Sequence, residues 1–185
     1  MKIVLGRHGR PNLSQRIWLA PRQLGRWIEA FDAADVDLVR VPRDTLKTAA
    51  LCNVVVVSTL QRSVQSAAIL APSKVLVTEA LLREAGMPHT QWPFPRLPVR
   101  AWLLFFRIAW FCGYAPNSES LPLASARAGV AAERLIDLAR QHDSVFVVGH
   151  GIFTMLIAKQ LLLRGWSGSK RPRNKYWGCC VYHAR

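Results

Sequence analysis

The feature that most limits what this chain can become is a set of short apolar runs, each stopped abruptly by polar or glycine-flanked residues. Lys2-Ile3-Val4-Leu5 leads into Arg7-His8-Gly9, Val54–Val57 leads into Ser58-Thr59, and Val145-Phe146-Val147-Val148 leads into Gly149-His150-Gly151. Runs of this length and composition are expected as strands buried inside a sheet. Ligands of α/β sheets bind in the crevice outside the carboxyl ends of the strands. Arg7, His8 and His150 are therefore expected to open onto one site. Glycine beside each imidazole lets a ligand or a second backbone come close.

The segment after the second run, Ser58-Thr59-Leu60-Gln61-Arg62-Ser63, reads as a strand end turning into a helix. Ser58 or Thr59 is expected to cap that helix. Arg62 then falls about one turn in, on the face looking back over the sheet edge. Arg7, His8, Arg62 and His150 thus converge from three strand ends. A phosphoryl group suits that set: guanidinium forks match phosphate oxygens bidentately and stay charged. Imidazole serves as a nucleophile or as a charged donor. The helix expected after Gly151 adds free backbone N–H groups and its positive end.

Across the rest of the chain, the pattern alternates in the α/β manner. Strands are expected at residues 2–6, 53–57, 74–78, 144–149 and 177–183. Helices are expected near 21–34, 60–70, 98–111, 120–141 and 152–164, with 36–50 as an irregular connection. Ala128, Ala131, Ala132, Leu135, Leu138 and Ala139 repeat at helical spacing and form a core stripe. The 185 residues, 51% of them hydrophobic, suffice for one domain with a sizeable core.

These motifs resemble those of the histidine phosphatase superfamily, the phosphoglycerate-mutase-like fold. The matching residues are Arg7-His8-Gly9, Ser58-x-Leu60-x-Arg62, Leu82-Arg83-Glu84 and Gly149-His150-Gly151, in the family's order. Arg7-His8-Gly9-x-Pro11 is similar to the small bacterial members rather than to the mutases. The resemblance implies a three-layer α/β/α sandwich around a mostly parallel sheet, with residues 1–185 as a single domain and residues 86–118 as a lid or specificity insertion. It also implies a phosphomonoester hydrolase in which His8 becomes a transient phosphohistidine. In that scheme Arg7, Arg62 and His150 bind the phosphoryl oxygens, with Gly9 and Gly151 at the substrate, and Glu84 supplies the proton. No metal and no cofactor are implied.

Each assignment has a competitor. Glu79 and Glu119 are alternatives to Glu84; Arg83 can pair with Glu84 at the surface; Glu119 is expected in the cap of the following helix. His89, His142 and His183 are expected to be structural or solvated. At the level of activity, a mutase would use the same four residues. However, Arg10-Pro11-Asn12-Leu13-Ser14 departs from the mutases' Glu-Ser and Trp-Asn after the first motif. A catalytically idle phosphate-binding module is the third reading.

The charge is unusual. Lys and Arg number 25 against 11 Asp and Glu, a net +14 that attracts phosphate esters, nucleic acid or anionic membrane. The cluster Lys170, Arg171, Arg173 and Lys175 lacks the aromatic interleaving of a nucleic-acid platform and is expected as a solvated loop. Small-molecule or protein phosphomonoesters are the expected partners, nucleic acid is disfavoured, and the oligomeric state is open. The segment from Leu97 to Gly113 is apolar nearly all round and too short to span a bilayer. It is expected as a buried or lid-covering helix, with contact at an anionic membrane surface as the alternative. Cys52, Cys112, Cys179 and Cys180 show no framework spacing, and no secretory signal is read at the start; reduced, buried thiols and a cytoplasmic setting are expected.

Overall fold

The computed structural model describes residues 1–37, 41–74 and 76–185. In chain order the elements are β1 (Lys2–Arg7), β2 (Trp18–Leu19), α1 (Pro21–Ala33), α2 (Arg43–Ala50), β3 (Val54–Val57), α3 (Gln61–Leu70), β4 (Leu76–Thr78), β5 (Leu97–Pro98), α4 (Val99–Phe111), α5 (Leu121–His142), β6 (Ser144–Gly149), α6 (Gly151–Leu163), β7 (Ser167–Gly168) and β8 (Cys179–His183).

Six strands form one sheet in the order β4-β3-β6-β1-β8-β7. The pairs β3–β4, β3–β6 and β1–β6 are parallel, while β8 and β7 extend the β1 edge antiparallel. Strand side chains alternate between faces, and here both faces are covered. Ile3, Leu5, Val54, Val56, Val145 and Val147 pack under α5 and α6, meeting Leu135, Ile157 and Leu161. Val4, Val55, Val57, Phe146 and Val148 face α2 and α3 through Ala49, Ala67 and Leu70. That is the expected three-layer α/β/α arrangement around a mostly parallel sheet. Double-sided burial explains why the strands read as unbroken apolar runs.

A smaller cluster lies beyond one end of the sheet, where α1 and α4 bury Leu24, Trp27, Val99, Trp102 and Phe106 against one another. The two-stranded β2–β5 ladder, with Trp18 opposite Pro98, ties the starts of these helices together.

Four expectations need correction. Residues 36–50 are not an irregular connection throughout: Arg43–Ala50 form α2 after Pro42. The short pairs β2–β5 and β7–β8 were also not expected. Helix α4 is not wholly buried, since Leu104, Phe105, Ile108 and Phe111 are 64, 49, 56 and 45% exposed. The expected connection at 36–50 and strand at 74–78 also include residues 38–40 and Val75, which lie outside the described residues. The four cysteines are free, but of the thiols expected to be buried only Cys52 is: Cys112 is exposed, and Cys179 and Cys180 are half-buried. Among the described residues no helix is long and apolar enough to cross a membrane.

Candidate active site

Strands β3, β6 and β1 lie side by side, and their registers pair Val57 with Val148 and Arg7 with Gly149. Ser58 therefore continues level with Gly149 and Arg7, and His8 with His150 one residue further on. Ser58, His150 and His8 stand together at the carboxyl edge, and each is buried. The His8 and His150 rings lie 5.0 Å apart, centroid to centroid.

His8 Nδ1 lies 2.6 Å from the Gly9 carbonyl oxygen. A carbonyl only accepts, so Nδ1 carries the proton and Nε2 keeps its lone pair. Arg62 Nε donates to that Nε2 at 3.2 Å. Burial pushes the His8 pKa down to about 3, helped by the charges of Arg62 and Arg7 and opposed by the bond to Gly9. The ring is a neutral imidazole whose unprotonated Nε2 is set among cations. Burial likewise holds His150 well below its usual range, reinforced by His8 and the surrounding arginines. His150 Nε2 shares a 2.6 Å hydrogen bond with Ser58 Oγ, and its Nδ1 has no partner among the described residues.

The arginines are held from outside the four motifs. Arg62, 1% exposed at the start of α3, donates through Nη1 to Asp32 Oδ1 at 2.9 Å and to the Phe31 carbonyl at 3.1 Å. Arg7 donates through Nη1 to the Asn174 carbonyl and to Asn174 Oδ1 at 3.0 Å. Its guanidinium lies 4.2 Å over the Tyr176 ring, and its buried Nε is unpartnered. Arg7 Nε and His150 Nδ1 are thus both buried without a partner, as expected where a hydrogen-bonding ligand belongs.

Glu84 sits across the cavity at the N-terminus of α6. Its Oε1 accepts from Ala85 N and Phe153 N, both at 2.9 Å, and its Oε2 from Ile152 N at 3.3 Å. The loop carrying it is braced by Arg127, which donates to the Leu81 and Arg83 carbonyls at 2.6 and 2.9 Å. The sequence competitors lie elsewhere. Glu79 pairs with Arg134, and Glu119 grips Arg127 with both oxygens at 2.8 and 2.7 Å. The α5 cap is Ser120, not Glu119. Arg83 reaches Thr59 and Asp32 rather than Glu84.

These groups surround a cavity of 520 Å³ lined by Arg7, His8, Arg62, Glu84 and Gly151 among the residues singled out from sequence. Arg83, from the Leu82-Arg83-Glu84 motif, lines it too, as do Asp32, Arg107, Asn174 and Tyr176, which no local motif marked. The opposite wall is apolar: Trp27, Ile28 and Phe31 from α1, Met87, and Leu103 and Leu104 from α4. His150 is fully buried just behind His8.

Two expectations shift in detail. Gly9 does not line the cavity. Its N–H donates to Ser66 Oγ at 2.8 Å, and a Cβ there would lie 2.2 Å from Trp177 Cζ2. Its lack of a side chain admits Trp177, not a ligand. Ser58 does not cap α3 in the ordinary way, since Leu60 holds the N-cap position. Ser58 Oγ accepts from Leu60 N at 3.2 Å while holding His150. Gly151, by contrast, gives room for Asn174 and Arg7, whose atoms would lie 2.6 and 3.4 Å from a Cβ.

The family model described as the histidine phosphatase superfamily, branch 1, matches residues 43–184. The matched stretch contains Arg62, Glu84 and His150 and begins after His8. No curated protein matches the chain. Among solved structures it is similar to a mycobacterial glucosyl-3-phosphoglycerate phosphatase, at 20% identity and a TM-score of 0.59 over 88% of this chain and 79% of that one. It is also similar to a phosphoserine phosphatase from Entamoeba histolytica solved with 3-phosphoglyceric acid, at 16% identity and a TM-score of 0.57 over 97% and 89%. At such identities the likeness speaks for the fold.

Proposed function

This chain belongs to the histidine phosphatase superfamily, and we propose that it hydrolyses phosphomonoesters through a phosphohistidine on His8, without a metal, in the cytoplasm. The observation that carries the reading is the state of the His8 ring: Nδ1–H is tied to the Gly9 carbonyl, and the unprotonated Nε2 keeps its lone pair and faces Arg62.

In this reading the Nε2 lone pair attacks phosphorus in line as the bond to the substrate's leaving oxygen breaks. Arg7, Arg62 and His150 hold the three equatorial oxygens, whose charge grows at the transition state. The unpartnered Arg7 Nε and His150 Nδ1 supply two of the donors. Glu84 Oε2, which makes only the one long bond, holds the proton given to the departing alkoxide. Water then attacks phosphorus and returns a proton to Glu84, the P–N bond breaks, and Nε2 regains its pair. The arginine cage takes the electrostatic part that a cation plays elsewhere. Residues 86–118 act as the specificity insertion, because Gly86, Met87, Leu103, Leu104 and Arg107 all face the cavity.

A panel of phosphomonoesters with EDTA present tests the reading. The wild-type protein should turn over, vanadate should inhibit, and an alkaline quench should trap acid-labile phosphate on His8. His8→Ala should be inactive yet folded. Substantial turnover by His8→Ala, or dependence on added magnesium or zinc, would overturn it.

A further inference from the structure

Helix α4 has two apolar sides. Val99, Trp102, Phe106 and Trp110 are buried and anchor it, while Leu104, Phe105, Ile108 and Phe111 form a second stripe in solvent. A helix held to a protein by one face does not ordinarily display large apolar groups on the other.

Both ends of this stripe lead somewhere. Leu104 also lines the cavity that holds His8. Phe111, seven residues or roughly 10 Å further along the helix, lines a second cavity of 870 Å³. That cavity is mainly apolar, with Leu121, Met155 and Leu163 in its walls, and it is bordered by the exposed cations Lys159, Lys170 and Arg171. Apolar side chains beside a cationic rim match a layer of acyl chains beneath anionic headgroups. The net charge of +14 attracts the protein to such a surface from a distance. No described helix is fit to span a bilayer, so the geometry suits a protein lying on the membrane.

We propose that the outer stripe of α4 and the neighbouring basic-rimmed groove dock on an anionic lipid bilayer. Docked this way, the protein sets the mouth of the His8 cavity at the bilayer surface. Its substrate is then a phosphomonoester whose apolar part stays lodged in the membrane, with the wall of Trp27, Phe31 and Leu103 sheltering the part that emerges. The docking stands by itself; the substrate class rests on the phosphomonoesterase reading.

The test uses the full chain with vesicles of phosphatidylcholine, alone or with phosphatidylglycerol, followed by flotation. The wild-type protein should float with the mixed vesicles, remain behind with phosphatidylcholine alone, and detach as salt rises. Phe105→Glu combined with Ile108→Glu should lower the partition coefficient about tenfold or more, since two large side chains no longer leave water. Lys170→Glu with Arg171→Glu should weaken it through charge alone, as an independent variant pair. All variants should hydrolyse p-nitrophenyl phosphate at the wild-type rate. Hydrolysis of phosphatidic acid placed in the mixed vesicles should fall in step with binding.

Wild-type protein that does not float overturns the docking, as does floating that neither variant pair weakens. A wild-type dimer that the α4 variant splits, without vesicle binding, assigns the stripe to a second copy and also overturns it. Floating with p-nitrophenyl phosphate hydrolysis but no attack on phosphatidic acid overturns the substrate class alone. Floating without hydrolysis of either substrate upholds the docking and removes the phosphomonoesterase reading.

Discussion

Replacing Glu84 by Gln separates two roles that meet in one carboxyl group. The substitution preserves shape but sets an NH2 against one of the three amides the carboxylate now accepts. Oε1 can keep Ala85 and Phe153, which leaves Ile152 N, at 3.3 Å, facing a donor. Losing the negative charge at a helix N-terminus costs about 0.3–1 kcal/mol, and leaving a partly buried N–H unpaired costs about 1–3 kcal/mol. A total of about 2 kcal/mol should lower Tm by roughly 4–8 °C in a chain of this size. The catalytic effect should be larger and selective. An alkyl phosphate needs a proton on its leaving oxygen, so kcat/KM should fall by about 10²–10⁴-fold, or about 3–5 kcal/mol of barrier. Nitrophenolate leaves unaided, so p-nitrophenyl phosphate should lose less than about tenfold. Measured side by side at a temperature well below both melting points, the two substrates separate chemistry from stability. Asp32→Asn is the necessary comparison, because Asp32 is the other carboxylate in the cavity. If Asp32→Asn shows the leaving-group dependence and Glu84→Gln does not, Glu84 is a helix-capping group and the proton comes from Asp32.

Two further outcomes concern His8 and its neighbour Gly9. Its pKa of about 3 when folded, against 6.5 when free, means that the unfolded chain binds the extra proton across that interval. The stability owed to a neutral His8 is complete above pH 6.5 and is lost as pH falls from there towards 3. Urea unfolding at pH 7.5 and pH 5 should therefore show a smaller loss on acidification for His8→Asn than for wild type; equal losses would contradict the stated burial. Gly9→Ala should cost about 1–3 kcal/mol by overpacking, because its Cβ would collide with the rigid Trp177 ring and with Val36. Activity should fall with it, since Trp177 N donates to the His8 carbonyl and Tyr176 lies over Arg7; a variant with wild-type Tm would refute that account.

What could be read from sequence was what repeats locally. Val54–Val57 and Val145–Val148 are apolar on both faces because helices cover both, so burial itself wrote the pattern. The starts of α1 and α5 fall within a residue of where they were expected, although Ser120 rather than Glu119 caps α5. Helix α2 was not, because only Thr45 and Ala49 of its eight residues are buried. It is steadied by a distant bond, Thr45 Oγ1 to the Trp177 carbonyl at 2.7 Å, although Pro42 and Asp44 were a usable start signal. The same divide runs through the site. His8, Arg62 and His150 follow strands and could be placed by that fact. Asp32 and Asn174 reach the site from a helix end and a late loop, and only the folded chain sets them against Arg62 and Arg7. The outward stripe of α4 escaped for a further reason: apolar residues all round a helix read as burial, and periodicity does not say which face is covered.

The division between the strand-end cage and the α1–α4 wall has a consequence for how such a protein can diverge. His8, His150 and Ser58 are fixed by three strands whose registers depend on one another, so a change there disturbs the whole set. Leu103, Leu104 and Met87 hang from a segment that contributes no strand to the six-stranded sheet and is anchored by Trp110, buried with Ala85 and Ala124, and by the Arg107 bonds to the Ala85 and Gly86 carbonyls. Mutations can accumulate in that segment, or a different one can be spliced in, while the strand ends stay as they are. Descendants of such a chain would inherit one reaction and exchange its clientele, and their α4 segments would differ long before their histidines did.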